Sequence, residues 1–390
     1  EIDGGNNSDQ GSNSTLNTYP SLDAIGEFRV TTSNYSADIG MHSGANIQVS
    51  TKSGTNAFHG SAFEFLRNDA LNANNFFSNR QINPPGGNAP KNPHKRNEWG
   101  YTFGGPFYIP GKYNTDKDKT FFFWSQAWRK FRDSSVASGG VATLRQRRGD
   151  FSDCLEGHAN FDQGLVDDGC TFPSNADPVT GLLPSLDANG VEQMDAFLPL
   201  PNSGTHGYIA SAATPVNWRQ DLIRVAHHFS DRTRLFVRWT QDAWDTTTPN
   251  ALWAWSSFDT VKTKFGGPGQ SAVLNFAHSF TPSLFSEFIM GYTTDWIDLR
   301  VEAGPTSVSG NLERSSSFVA PHIFPGNAGN PYLPSMVICG GSQVCMGQTW
   351  WFPYGPYNSN PIVTWKENLT WIKGKHTFKF GAFVERFRKN

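Results

Sequence analysis

Charge is scarce in this chain. Lys, Arg, Asp and Glu make up 17% of its 390 residues, against about 25% in an average soluble domain. What charge there is nearly cancels, 32 basic against 34 acidic residues, so neither a basic nucleic-acid surface nor an acidic tail organises the protein. Long apolar runs are missing too. Nothing approaches the ~18 consecutive apolar residues of a membrane-crossing helix, and the mean hydropathy is −0.47. That excludes a helical membrane protein but not a membrane β-barrel, whose strands are apolar on one face only. The chain also lacks HExxH, GxSxG, a Walker loop and any CxxC pair, so no enzyme, cofactor or catalytic residue is expected.

Aromatic and turn-forming residues fill the space that charge leaves. Aromatics reach 14%, with 13 Trp and 31 Phe, beside 38 Gly and 24 Pro. The helical period is almost absent, while alternation with period two recurs in about nine segments. Phe63 and Phe65 share a face in the first; Trp99, Tyr101 and Phe103 do so in the second. In the third, Phe122, Trp124 and Trp128 oppose Ser125, Ala127 and Arg129. The fourth alternates Ile223, Val225, His227 and Phe229 with Leu222, Arg224 and His228. The fifth sets Leu235, Val237 and Trp239 against Arg234, Phe236, Arg238 and Thr240. Leu274, Phe276 and Phe280 mark the sixth, and Phe288, Met290, Tyr292 and Trp296 the seventh. Val363, Trp365, Leu369 and Trp371 mark the eighth, and Phe378, Phe380, Ala382 and Val384 the ninth. Each runs about ten residues, the length with which a tilted strand crosses a bilayer.

The connections alternate. Short turns fall at 230–232, 281–283 and 373–375, with a slightly longer one at 110–119; the others, about 67–97, 132–217, 243–269 and 300–361, are long and irregular. A meander through a membrane produces this order, with tight turns in the periplasm and large loops outside. A secreted sandwich or propeller also has alternating aromatics, but spreads its long loops over both ends. On the membrane reading, Lys or Arg at Leu235 or Val237 costs about 2–4 kcal/mol, and much less at Arg238 or Thr240 on the lumen face.

Candidate chemistry is sparse. Asn114, Asp116 and Asp118 alternate like the start of a calcium loop, but no Gly and distal Glu complete it, and a polar turn is the expectation. His227 and His228 are adjacent on a strand, face opposite sides and cannot chelate one metal. Asp162, Asp167 and Asp168 read as a solvated acidic loop. The four cysteines lie in long loops, and sequence-local pairing would join Cys154 to Cys170 and Cys339 to Cys345. Outside the cell such bridges persist.

From 21 to 65 the chain resembles a known family. Asn34-Tyr35-Ser36-Ala37-Asp38-Ile39-Gly40, the run from Gly44-Ala45-Asn46-Ile47 to Ser53-Gly54-Thr55-Asn56, and Phe58-His59-Gly60-Ser61 are similar to the plug-to-barrel junction of TonB-dependent outer-membrane receptors of the Oar-like group. Phe65-Leu66-Arg67-Asn68-Asp69, Gly104-Gly105-Pro106, Lys117-Asp118-Lys119-Thr120-Phe121-Phe122-Phe123, Gly149-Asp150-Phe151-Ser152 and Gly374-Lys375-His376-Thr377-Phe378 extend the likeness along the chain. Met41-His42-Ser43-Gly44 departs from it, where Arg- and Gly-rich residues belong.

The resemblance implies an all-β fold: part of a transmembrane antiparallel β-barrel at 57–390, preceded by the C-terminal part of a plug at 1–56. Neither end reads as a natural terminus, so a longer protein is expected, with a TonB box elsewhere and the edges of this piece left open. Implied partners are outer-membrane lipid, a TonB-type energy-coupling protein and an extracellular solute, with no nucleic acid; the implied location is the Gram-negative outer membrane. The function expected is energy-coupled uptake of a scarce solute such as a siderophore or oligosaccharide. An Oar-like adhesion or export protein and a secreted carbohydrate-binding β-protein are the alternatives. Flat aromatic faces suit such ligands. Trp253, Trp255, Trp350, Trp351, Tyr354 and Tyr357 are therefore the candidate binding residues, the last four kept in a loop by Pro353 and Pro356.

Overall fold

The computed structural model describes residues 1–9, 16–32, 45–73, 93–249, 258–322, 330–334, 337–340, 344–347 and 354–389. Near the N-terminus β1 (Ile25–Thr31) and β2 (Asn46–Thr51) pair antiparallel. Then follow β3 (His59–Asn68), β4 (His94–Pro106), β5 (Thr120–Gly140), helices α1 (Gln163–Asp167) and α2 (Ala188–Phe197), β6 (Gly207–Ser230), β7 (Thr233–Thr248) and β8 (Val261–Gly266). The chain continues through β9 (Gly269–Thr281), β10 (Leu284–Ala303), a small hairpin of β11 (Val337–Gly340) and β12 (Val344–Gly347), β13 (Tyr354–Ser359), β14 (Ile362–Lys373) and β15 (His376–Phe387).

The alternating segments of the sequence are β3, β4, β5, β6, β7, β9, β10, β14 and β15. Each is antiparallel to the one before it, a meander in a single sheet. Residues 231–232, 282–283 and 374–375 are the tight turns, and Gly374 supplies the positive φ (60°) that a two-residue hairpin loop demands. Strands β3 and β15 end the sheet and do not pair with each other.

The two faces of the sheet invert a soluble protein. On the outer face Phe103, Val225, Phe229, Val237, Phe276, Phe280, Met290, Phe380 and Val384 are exposed. On the inner face Thr102, Ser125, Gln220, Arg238, Thr240, Asp242, Ser271, Thr293 and Thr364 are buried. Such an arrangement is stable where hydrocarbon bathes the outside and a polar interior fills the lumen. Phe63 and Phe65 prove to be inner-face residues, opposite Gly100 and Glu98 in the ladder. Gly100 is required there, because a Cβ on it would meet the backbone oxygen of Gln126 at 2.5 Å as well as Phe63 Cζ at 2.8 Å.

Strands β5 and β6 have 21 and 24 residues, so more than ten of each project roughly 30 Å past a span of about 9–11. The irregular loops therefore begin later than the alternation implied, at 141–206 rather than 132–217. Two further strands extend the sheet on this side. β8 continues the line of β9 between β7 and β10, and β13 continues the line of β14 beside β10. Pro268 and Pro361 stand at the two interruptions, where a residue without N–H breaks the ladder.

The long loops are not structureless. Ala196 and Phe197 of α2 pack with Val261 at the start of β8 and with Leu312, Phe318 and Leu333 of the last long loop. Beside them Val141, Leu198, Tyr208 and Phe258 form a second cluster. The sequence left these loops irregular because their apolar residues are singly spaced and bury only against one another. Asp162 and Asp187 cap the short helices, accepting from Gly164 N (3.0 Å) and Gly190 N (2.9 Å).

Candidate functional site

Inside the curve of the sheet lies the N-terminal segment, and charged side chains of the wall hold it. Residues 1–5 bridge to β2: Asp3 N donates to Val49 O at 2.8 Å, and Val49 N to Glu1 O at 3.0 Å. Asp3 adopts positive φ (51°), a conformation in which Asp is several-fold enriched. Its carboxylate is thereby aimed back at Thr51, accepting from Thr51 N at 2.9 Å and Thr51 Oγ1 at 2.8 Å. From the wall, Arg224 Nη1 approaches Asp3 Oδ1 at 3.2 Å and Arg238 Nε approaches Oδ2 at 3.0 Å. The Arg238 side chain is 1% exposed. Its other nitrogens donate to Thr240 Oγ1 (2.8 Å) and Ser271 Oγ (3.0 Å), and Arg224 also donates to Thr51 O (2.7 Å).

Further contacts spread along the wall. Asp242 accepts from Tyr19 N at 2.6 Å and from Gly269 N at 3.2 Å; Gln220 Oε1 accepts from Ser21 N at 2.7 Å. Thr293 Oγ1 donates to Asn6 O at 2.8 Å, and Asn6 Nδ2 to Glu385 Oε2 at 2.8 Å. Small apolar contacts join them: Ala24 against Phe123 and Leu222, and Gly4 and Gly5 close to Ile289 and Val273. Polar bonds between a segment and a wall can be exchanged for water at small net cost. An apolar seam of the same area could not be parted so readily. The arrangement can hold a filling in place and still release it.

At the long-loop end Cys154 and Cys170 are joined in a disulfide. Gln146 Nε2 donates to both sulfurs, at 3.3 and 3.4 Å. Arg147 donates to Leu198 O and Pro199 O and pairs with Asp195 at 3.1 Å, tying this loop to α2; burial pushes its guanidinium below the ordinary range. The Ser152 side chain and Arg145 hold the Asp150 carboxyl below its usual value. Replacing both Cys154 and Cys170 by Ser is expected to cost the loop about 3 kcal/mol. Protease should then cut between 141 and 206 in folded protein, and unchanged resistance would show that the apolar clusters suffice.

The aromatic candidates fare unevenly. Trp253, Trp255, Trp350 and Trp351 lie outside the described residues. Tyr354 and Tyr357 stand in a strand, not in a loop: they pair in β13 with Arg300 and Asp298 of β10. Pro356 is accommodated because the ladder has its irregularity between Asp298 and Arg300, and prolines are tolerated at bulges. Tyr357 is 76% exposed at that rim. The backbone register of the β11–β12 hairpin sets Cys339 opposite Cys345. Among the described residues no cluster of three metal-ligating side chains occurs. The segment-holding residues Asp3, Gln220 and Asp242 carried no sequence signal of their own. The only clue was that Arg224 and Arg238 fall on the face opposite the aliphatic one.

A sheet apolar outside and polar within defines an outer-membrane barrel wall, and the family comparison agrees. Residues 50–390 match the family model described as an outer membrane beta barrel domain. The chain belongs to that family, and its place is the Gram-negative outer membrane. No curated protein sequence matches it. Among solved structures it is similar to the outer membrane transporter YddB from Escherichia coli, at 9% identity and TM-score 0.48, over 96% of this chain and 36% of that one. It is also similar to BauA, the ferric preacinetobactin receptor from Acinetobacter baumannii, at 11% identity and TM-score 0.32, over 89% and 44% of the two chains. The toluene transporter TbuX from Ralstonia pickettii follows at 8% identity and TM-score 0.23, over 92% and 72%. The chain thus spans about a third of YddB's length.

Proposed function

We propose that this chain is part of a plug-gated receptor that takes up a scarce solute through the outer membrane, driven by a TonB-type coupling protein. On this reading residues 1–56 end the plug and 57–390 begin the barrel. The observation that carries it is the Asp3–Arg224–Arg238 clasp, which joins a separate segment to the inner wall through bonds that water can replace. Short turns face the periplasm, and the disulfide-bonded cap faces outward, where Tyr354, Tyr357 and the neighbouring tryptophans meet the ligand. The solute belongs to the class bound on flat aromatic faces: a siderophore, an oligosaccharide or a similar molecule.

Uptake of candidate solutes into cells with and without the inner-membrane coupling complex tests this. Import that stops when the complex is deleted is the expected result. Import independent of the complex, or a deletion strain whose only defect is adhesion or secretion, would replace the transporter with the Oar-like alternative. Within a working transporter, Tyr357→Ala should weaken ligand capture several-fold and leave the yield of assembled barrel unchanged. Normal capture with poor assembly would make Tyr357 a structural rim residue.

A further inference from the structure

Two neighbouring strand pairs, β5–β6 and β7–β9, carry the same three-residue arrangement on the outer face, beside the short turns. In the first, Thr120 opens β5, His227 lies opposite it on β6, and Phe229 follows two residues later. In the second, Thr233 opens β7, His278 lies opposite it on β9, and Phe280 follows two residues later. Both Thr–His contacts run from Oγ1 to Nδ1 at 2.8 Å. Both imidazoles meet their Phe edge-on, with centroids 4.5 and 4.6 Å apart and planes at 79° and 81°. A variant recurs at the β14–β15 turn, where Lys373 opposes His376 and Phe378 follows.

Simple girdle packing requires the phenylalanines, which are exposed. It does not require an imidazole held at two edges. Behind each threonine stands another hydroxyl, Tyr113 Oη at 2.6 Å from Thr120 and Ser230 Oγ at 3.3 Å from Thr233. With these hydroxyls donating in sequence, each threonine gives its proton to Nδ1, and the ring proton sits on Nε2. Nε2 of His227 and His278 has no protein partner among the described residues. The two rings are two strands apart, roughly 10 Å along the rim.

The charge around them is of one prevailing sign. The short connections and adjoining strand ends hold Lys112, Lys117, Lys119, Arg232, Lys373 and Lys375 against Asp116, Asp118 and Asp231. On the opposite rim the loop at 141–206 is reversed, with three arginines, 145, 147 and 148, and ten carboxylates, whereas the stretch 67–97 carries Arg67, Arg80, Lys91, Lys95 and Arg96 against Asp69. Phosphate at the headgroup level is therefore favoured at the short-turn side and opposed beside the 141–206 loop.

We infer that this rim docks anionic glycerophospholipid headgroups, with His227 and His278 donating from Nε2 to phosphate oxygens and Lys119 and Arg232 supplying the field. The inference rests on the orientation given under Proposed function, which places the short turns at the inner leaflet. Protease cleavage of the 141–206 loop on intact cells, in the variant with Cys154 and Cys170 replaced by Ser, checks that orientation independently of any lipid.

The direct test is native mass spectrometry of the whole protein with phosphatidylglycerol and phosphatidylcholine of matched acyl chains. Phosphatidylglycerol should be retained in preference, and His227→Leu with His278→Leu should reduce that preference about tenfold, the worth of charge-assisted bonds. Inorganic phosphate should not compete. Parity of the two lipids on the unaltered protein overturns the inference, as does a preference that the leucine pair leaves intact. Equal competition by inorganic phosphate would make this an ion site and not a lipid dock. If the leucine pair does not assemble, Thr120→Val with Thr233→Val keeps both rings but frees Nδ1. An unchanged preference in that variant also overturns the inference.

Discussion

Asp3→Asn should loosen the N-terminal segment from the barrel wall, with a loss of about 3–5 kcal/mol, the cost of leaving a buried charge without its partner. The substitution keeps the shape of the side chain, and the two arginines then face each other across the β6–β7 ladder, where they are direct cross-strand partners. Like charges directly opposite repel. They are not equally compensated. The Arg224 guanidinium lies 3.9 Å from the Phe236 ring centroid and keeps its bond to Thr51 O; the cation–π contact offsets part of the loss. Arg238 retains two hydroxyls and a long contact to Ile2 O at 3.4 Å. Most of the penalty therefore falls on Arg238, and Arg238→Met added to Asp3→Asn should restore more stability than Arg224→Met does. Limited proteolysis of residues 1–56 in lipid-embedded protein reads this, with faster cleavage in Asp3→Asn and partial rescue in the Met double. Equal rescue by either methionine would mean that the two arginines share the burden. No change in the single variant would mean that Asp242 and Gln220 hold the segment without Asp3.

The strands were legible and the clasp was not, for one physical reason. Alternation is local: Leu235, Val237 and Trp239 announce a face within a few residues, and turn residues at 231–232 or 374–375 mark where it stops. The partners in the lumen are far apart in the chain. Asp3 and Arg238 are separated by more than two hundred residues, and no spacing rule joins them. The short strand β13 escaped notice for a different reason. Two prolines beside Tyr354 and Tyr357 argue against a ladder in general, yet a bulged strand at the rim of a sheet accepts one. In the loops, the helices of five and ten residues are too short for a clear 3.6-residue period, and their apolar residues find partners only when three loops meet. The disulfide candidates Cys154 and Cys170 were visible as a pair because their partnership is sequence-local.

Val237→Lys should destabilise the barrel by about 2–4 kcal/mol in lipid, and the structure sharpens the comparison that makes this informative. Val237 is 44% exposed on the outer face, with Val225 and Leu274 beside it in the two adjoining strands. It lies four residues from the start of β7, close to the middle of a ten-residue crossing, where an ammonium finds neither water nor a counter-ion. Leu235 is nearer the turn and beside His227, so Lys there can reach the headgroups and should cost about 0–1 kcal/mol. The two positions are thus not equivalent, as alternation alone implied. The lumen face also departs from that expectation. Thr240 is 2% exposed and accepts from Arg238, so Thr240→Lys sets an ammonium against a buried guanidinium under the docked segment. Its cost is large only while that segment is in place. Removal of residues 1–56 should abolish the Thr240→Lys penalty and leave the Val237→Lys penalty untouched, as measured by reversible denaturant unfolding in lipid vesicles. If the deletion relieves both equally, Val237 is not facing hydrocarbon and the assignment of the two faces fails. If it relieves neither, the segment does not line the wall at Thr240.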